Sequence, residues 1–411
     1  MRACGLNDIL ENERSLTLMT LFYGKENVNQ LLKEFSREFR NIGFAKEVEK
    51  QGYAIIHEMG VPDKPLHCYT LACTFDIVVK HTSFLTMELP PERMYVLCLL
   101  GLEACPRRLQ KGDAVRALLE RARVEGRMEA CDLIIYVDGE GFKLGKTLFP
   151  LFNKLREHAD VVLGCRTPGS LGIEPGPERS LVELLELYVV SRALGLERIL
   201  PDGQCGAWGF KGHIGSRLVR LLMAHGFEIE LDILIESLLT KGAEVHFVPV
   251  SLREAAGQKN SPERAPLRSG TIELTKVDLH KTKSAFLASK FRLAPACLET
   301  LIDDFENWLL DGYKDIRQVF TSLPQSKGDA EKYIGEYKRH VLNAVVEELE
   351  RANELARKQT RVPARASEEE GRLFLTDIYF RTVEQLPVIP KQHRAELRIP
   401  GQLENMLPRI V

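Results

Sequence analysis

The chain has no C-x-x-C pair among its nine cysteines. That absence excludes a zinc ribbon and a thioredoxin-type redox motif. An odd, scattered set of thiols reads as reduced cysteine in a cytosolic protein. An excess of charge of either sign is also missing. Lys and Arg number 56 and Asp and Glu 58, a formal net charge of -2. Bulk charge therefore makes no case for nucleic acid or an anionic membrane as a partner. No run of about 18 apolar residues occurs, so no transmembrane helix is expected. The opening "MRACGLNDILENERS" lacks the apolar stretch of a signal peptide. No internal repeat is visible. These absences predict a cytoplasmic protein that meets any lipid substrate from the cytosolic side, with peripheral membrane contact and self-association left open.

What is present is the profile of a globular protein: 411 residues, 44% hydrophobic and 28% charged. That length allows one large domain or two of ordinary size. "SLTLMTLFYG" reads as a first strand, and "ENVNQLLKEFSREF" as a helix with apolar residues at helical spacing. Between about residues 52 and 100, "YAIIH", "FDIVVK" and "MYVLCLLGL" are short apolar runs of strand type. "KGDAVRALLERARVEG" is a helix, followed by a buried strand ending on Asp138. "TLFPLFNKLREH" is helical, "ADVVLGCR" a strand, and "ERSLVELLELYVVSRALG" a long helix that Gly195 caps. "CGAWGFKG" is a glycine-rich turn or tight strand, and "AEVHFVPVSLR" a strand after two more helices. Helices alternating with apolar strands predict an α/β domain, a mainly parallel sheet with helices on both faces, over residues 1–255. A polar, proline-containing loop follows, then a helical extension over 256–411.

The unusual feature is how the strand Leu133 to Val137 finishes, on Asp138, Gly139 and Glu140. Ligands of an open α/β sheet bind outside the carboxyl ends of its strands. Residues i and i+2 of extended chain point to one side, so both carboxylates can address one ligand. Two adjacent carboxylates repel unless a cation lies between them. Oxygen ligands of this kind suit Mg²⁺ or Mn²⁺ held jointly with substrate phosphates. A solvated turn after a strand is the plainer reading of the same residues. Other charged groups recur at element ends: Arg107, Arg108 and Lys111 before a helix, Arg166 after the next strand, and Arg179 in "PERS". Asp202 and Gln204 sit in the glycine-rich turn, and Glu228, Glu230 and Asp232 start a helix.

That order resembles the family 2 glycosyltransferases of GT-A fold, in their dolichyl-phosphate mannosyltransferase-like branch. "TLFYGKENVNQLL" resembles the family's "P-x-Y-N-E" segment at Tyr23 and Glu26. Its "G-K-G-x-A" matches Lys111, Gly112 and Ala114, and its metal-holding "D-x-D" matches Asp138 and Glu140. "VVLGCR" with Arg166, the following Arg179, the turn at Asp202, Gln204, Cys205 and Gly206, and residues 226–250 complete the register. The resemblance spans roughly residues 15–255. The chain departs from the pattern at Glu140, a longer acid than the usual aspartate, and at Phe142, where a glutamine often stands. The family's "V-D-D-G-S" segment is replaced by no clear counterpart; Asp76 is the nearest candidate.

The resemblance implies transfer of a hexose from a nucleotide-diphosphate sugar to an acceptor alcohol or phosphate, with inversion. Asp138 and Glu140 would hold the Mg²⁺ or Mn²⁺, with His280 as a late metal ligand. Tyr23, Glu26, Lys111, Asp138, Arg166 and Arg179 would bind the donor and its phosphates. Asp202, Gln204 and Trp208 would line the acceptor side, and Asp232 or Glu230 would serve as general base. Each has a plainer alternative: a helix-start cap for Glu230 and Asp232, a surface pair with Glu183 for Arg179, and a core position for Trp208. His246 reads as a core or surface histidine. The acceptor is polyprenyl phosphate or, in the first rival reading, a soluble acid such as glycerate or phosphoglycerate. A nucleotidyltransferase is disfavoured, because "LFYGKENV" lacks its "G-x-x-x-R-M" loop. A GT-A binding module without catalysis is the rival from another class.

Overall fold

The computed structural model describes residues 14–21, 28–60, 67–74, 77–84, 111–166 except 140, 177–224, 228–252, most of 283–345, and 385–410 except 387. Among the described residues nine strands form one sheet: β1 (Arg14–Leu21), β2 (Tyr53–Gly60), β3 (His67–Thr74), β4 (Ile77–Phe84), β5 (Leu133–Asp138), β6 (Val161–Arg166), β7 (Ala207–Lys211), β8 (Glu244–Val250) and β9 (Glu396–Arg398). Their order across the sheet is β4-β3-β2-β1-β5-β7-β6-β8-β9. The pairs β1/β2, β1/β5, β6/β8 and β8/β9 are parallel. The pairs β2/β3, β3/β4, β5/β7 and β6/β7 are antiparallel. Seven of these strands thus share one direction, and β3 and β7 oppose it. The fold is a mixed α/β one with a mostly parallel sheet.

Alternation along β5 separates the two faces of the sheet. Leu133, Ile135 and Val137 join Leu16, Leu18 and Ile55 in a core beneath the helices Val28–Asn41, Phe44–Lys50 and Gly145–Glu157. Phe35, Phe39, Phe44, Leu148, Leu151 and Phe152 pack from that side, all under 4% exposed. A side chain of this kind contributes about 1.5–3 kcal/mol when fully buried, which makes this layer the rigid base of the sheet. Ile134 and Tyr136 face the other way, toward the helices Lys111–Val124 and Gly212–Leu218. Gly215 of the second lies so close that an added Cβ would come within 2.5 Å of the Phe210 ring. Among the described residues no helix is long and apolar enough to cross a membrane.

The chain divides into two compact units, and the division is interleaved in sequence. One comprises Met1–Ile173, Gln204–Ala256 and Gln392–Leu403, and holds the sheet. The other comprises Glu174–Gly203, Gly257–Lys391 and Glu404–Val411. Where the sequence suggests a single boundary near residue 255, the chain passes between the units after Ile173, Gly203, Ala256, Lys391 and Leu403. The helix Pro177–Ala193 groups with the late helices because Tyr188 packs on Phe305 and Trp308, at 5.6 and 5.2 Å between ring centroids. Residues 392–403 group with the sheet because β9 pairs with β8.

In the second unit "ETLIDDFENWLLDGYKDIRQVF" forms two helices, Pro295–Asp311 and Tyr313–Val319, parted at Gly312. Pro295 opens the first, where its missing N–H costs nothing. Ser326 caps the next, Lys327–Tyr337, by accepting from Asp329 N–H. That helix widens to a π turn over Lys338–Leu342, where Lys338 pairs with Asp303 at 2.7 Å and with Glu306. Gly195 adopts φ 57° just after Pro177–Ala193, the left-handed end expected there. The run "MYVLCLLGL" lies outside the described residues.

Candidate active site

β5 delivers Asp138 to the carboxyl end of the sheet, beside the antiparallel β7. The Asp138 N–H donates to Gly206 O at 2.8 Å, so the glycine-rich turn closes directly over the strand end. Tyr136, two residues back on the same face, donates its hydroxyl to Asp138 Oδ1 at 2.5 Å. Lys111, the first residue of the helix Lys111–Val124, donates from Nζ to Asp138 Oδ2 at 2.9 Å. The same ammonium is paired with Glu230 Oε1, from the first turn of the helix Ile229–Leu238. Three segments far apart in sequence thus meet as Asp138–Lys111–Glu230.

The three differ in access. The side chains of Lys111 and Glu230 are each 5% exposed and that of Asp138 is 21% exposed. Asp138 is the member that solvent reaches. One cation between two carboxylates leaves the trio one negative charge in excess when both acids are ionised. Burial pushes the Glu230 carboxyl above the ordinary range; the neighbouring Asp138 charge adds to this, and Lys111 opposes it.

Two glycines fit this corner for different reasons. A Cβ on Gly206 would lie 2.0 Å from Asp138 Oδ2 and 2.5 Å from its Cγ, so no other residue leaves the carboxylate where it stands. Gly141 has open space around it but adopts φ 89°, a left-handed conformation that favours glycine.

Asp232 has a different task from the one expected. It is fully buried, and its Oδ2 accepts from the N–H groups of Met223 and Ala224 at 2.5 and 2.8 Å. It therefore ties down the turn ahead of its own helix, and its position is structural. Asp232→Ala is expected to cost about 3 kcal/mol by stranding the buried Ala224 N–H and the half-buried Met223 N–H, read as a lowered urea midpoint. Trp208 is likewise a core residue, 1% exposed, stacked on Tyr136 at 4.6 Å and on Phe210 at 5.3 Å. Its burial corrects the expectation that it stacks on a sugar or lines an acceptor cleft.

Arg166 ends β6 half-buried. Gln204 is half-buried at the start of the turn, and Asp202 is buried within the second unit. Arg179 lies in the first turn of Pro177–Ala193, with its side chain outside the described residues. Tyr23, Glu26, Glu140, Asp76 and His280 also lie outside them. His246 pairs through Nε2 with Glu244 Oε1 at 2.8 Å, a strand-surface contact.

Asp138 fits a hard cation as one ligand. It is a carboxylate at the solvent edge, and each oxygen accepts one of the bonds above, which leaves lone pairs on both. Among the described residues no three His, Cys, Asp or Glu side chains group as a metal cluster.

Two contributors escaped the sequence reading. Tyr136 stands two residues before Asp138, so the period-two rule already placed its hydroxyl on the carboxylate's side. The sharing of Lys111 between Asp138 and Glu230 had no local signal, since its partners are distant in sequence. The chain matches no known protein-family model and no curated protein.

Proposed function

We propose that the chain is a glycosyltransferase that moves a hexose from a nucleotide-diphosphate sugar to an acceptor, with inversion and with a Mg²⁺ or Mn²⁺ ion. The observation that carries this reading is convergence. Lys111, Asp138, Gly206 and Glu230 come from four separate stretches of the family resemblance, and they meet at the end of one central strand.

Asp138 and Glu140 would hold the ion, which when bound supplies positive charge opposite the departing diphosphate. The protein's own groups do the rest. Tyr136 fixes the Asp138 carboxylate through Oδ1, so its free lone pairs keep one direction. Lys111 adds a buried positive charge beside the strand end, where negative charge grows on the leaving group. Arg166 would bind donor or acceptor phosphate as a bidentate partner. Glu230 rather than Asp232 has the character of a base. Its raised affinity for a proton brings it closer to working pH, whereas Asp232 is committed to backbone N–H groups. With an alcohol acceptor, the hydroxyl proton would pass to the Glu230 carboxylate as the new glycosidic bond forms. With an acceptor that is already an anionic phosphate, Glu230 would only balance Lys111.

Isothermal titration with a panel of nucleotide sugars, with and without Mn²⁺, tests the proposal. One donor is expected to bind in a metal-dependent way, and Asp138→Asn to remove that dependence. Failure of every nucleotide sugar to bind would refute the activity. Unchanged metal dependence in Asp138→Asn would refute the site. Product analysis with polyprenyl phosphate against glycerate-type acceptors then separates lipid from soluble transfer.

A further inference from the structure

We infer that Lys111 competes with a divalent cation for the Asp138 carboxylate, and that Glu230 is the seat to which the Lys111 ammonium retreats when the cation binds. The inference rests on the reading of Asp138 as a cation ligand, and it deepens that reading.

The geometry carries the argument. The Lys111 ammonium already touches both acids, so exchanging one for the other needs no more than a small shift of Nζ. Tyr136 holds Oδ1 of Asp138, and Oδ2 is the oxygen that Lys111 occupies. Asp138 is the exposed member of the trio, so an ion from solvent arrives there. A divalent cation beside an ammonium is strongly repelled, and Lys111 must then give up Oδ2. A lysine with a 5% exposed side chain cannot retreat into water. It needs a buried anion, and Glu230, equally buried, is in contact with it. Positive charge at Asp138 is thereby accommodated without stranding the lysine. Glu230 acts here as a positioning residue, through Lys111.

The test is Mn²⁺ titration of the full chain without nucleotide sugar, reading free Mn²⁺ by electron paramagnetic resonance. Glu230→Gln removes the retreat and is expected to weaken Mn²⁺ binding roughly 10- to 100-fold. Lys111→Met is expected to change the wild-type affinity only a few-fold, because Glu230 already draws the ammonium away. In the Glu230→Gln background the same change is expected to restore the whole loss. This non-additivity separates exchange of partners from simple charge effects, which add. Equal gains from Lys111→Met in both backgrounds, or a double variant as weak as Glu230→Gln, would overturn the inference. Mn²⁺ binding that survives Asp138→Asn, or is undetectable even in Lys111→Met, would instead overturn the cation-site reading. Thermal melts by circular dichroism establish that each variant is folded, and Lys111→Gln replaces Lys111→Met if the latter is not.

Discussion

On the proposed function, Gly206→Ala is expected to lower the rate of sugar transfer roughly 100-fold while leaving the protein folded. The added Cβ would stand 2.0 Å from Asp138 Oδ2, far inside van der Waals contact, so the carboxylate has to move. It cannot turn away freely, because Tyr136 and Lys111 hold its two oxygens. A displacement of about 1 Å at a reacting centre costs on the order of 100-fold. The loss should fall on kcat, measured at saturating donor, with circular dichroism establishing that the variant is folded. A variant with wild-type kcat would show that the strand end is not where transfer takes place.

The second large effect concerns acid. His57 is 2% exposed, shares a hydrogen bond with Thr20 Oγ1 at 3.0 Å, and packs on Phe35 and Phe39 at 5.2 and 5.6 Å between ring centroids. Burial holds its pKa down at about 3. In the unfolded chain the ring titrates near the ordinary value of about 6.5. Between those two values the unfolded state binds a proton that the folded state does not, so stability must fall as pH drops from about 6.5 toward about 3. At 1.36 kcal/mol per unit the whole span is at most about 5 kcal/mol, a large part of a typical domain's stability. Urea midpoints measured at intervals from pH 7 to pH 4 should decline steeply in wild type. His57→Gln, which keeps a hydrogen-bonding group but does not titrate, should decline less. Parallel slopes would mean that the ring is protonated without unfolding the layer beneath β1 and β2.

The positions of most elements were legible from sequence, because burial imposes period two on strands and period 3.6 on helices. Their directions were not. Nothing in "CGAWGFKG" says that β7 runs against β5 and β6, and an apolar strand reads the same in either sense. The hairpin of β3 and β4 was half seen: "FDIVVK" marked one strand, while "HCYTLACT" has no strong alternation and passed unremarked. At the site, Asp138 was legible only in company: a strand that stops on Asp138, Gly139 and Glu140 reads first as a turn, and Lys111 before it and Arg166 after it pointed to a ligand. Glu230 and Asp232 were not separable. Both are acids in the same helical turn, and which one reaches Lys111 and which reaches the backbone of Met223 depends on how the helix is rotated against its neighbours. Trp208 was open between ligand and core, and its register opposite Tyr136 decided it.

The pairing of β8 with β9 sets a condition on how the molecule is made. Glu244 finds its partner, Glu396, only after the segment Gly257–Lys391 of the second unit has intervened in the chain. During synthesis the β8 edge therefore waits, with its backbone groups open, until Glu396–Arg398 has emerged from the ribosome. An edge left in that state is a template for pairing with other chains. The short β9 acts as a late seal, and the period before it arrives is when a nascent chain of this protein is most exposed to mispairing.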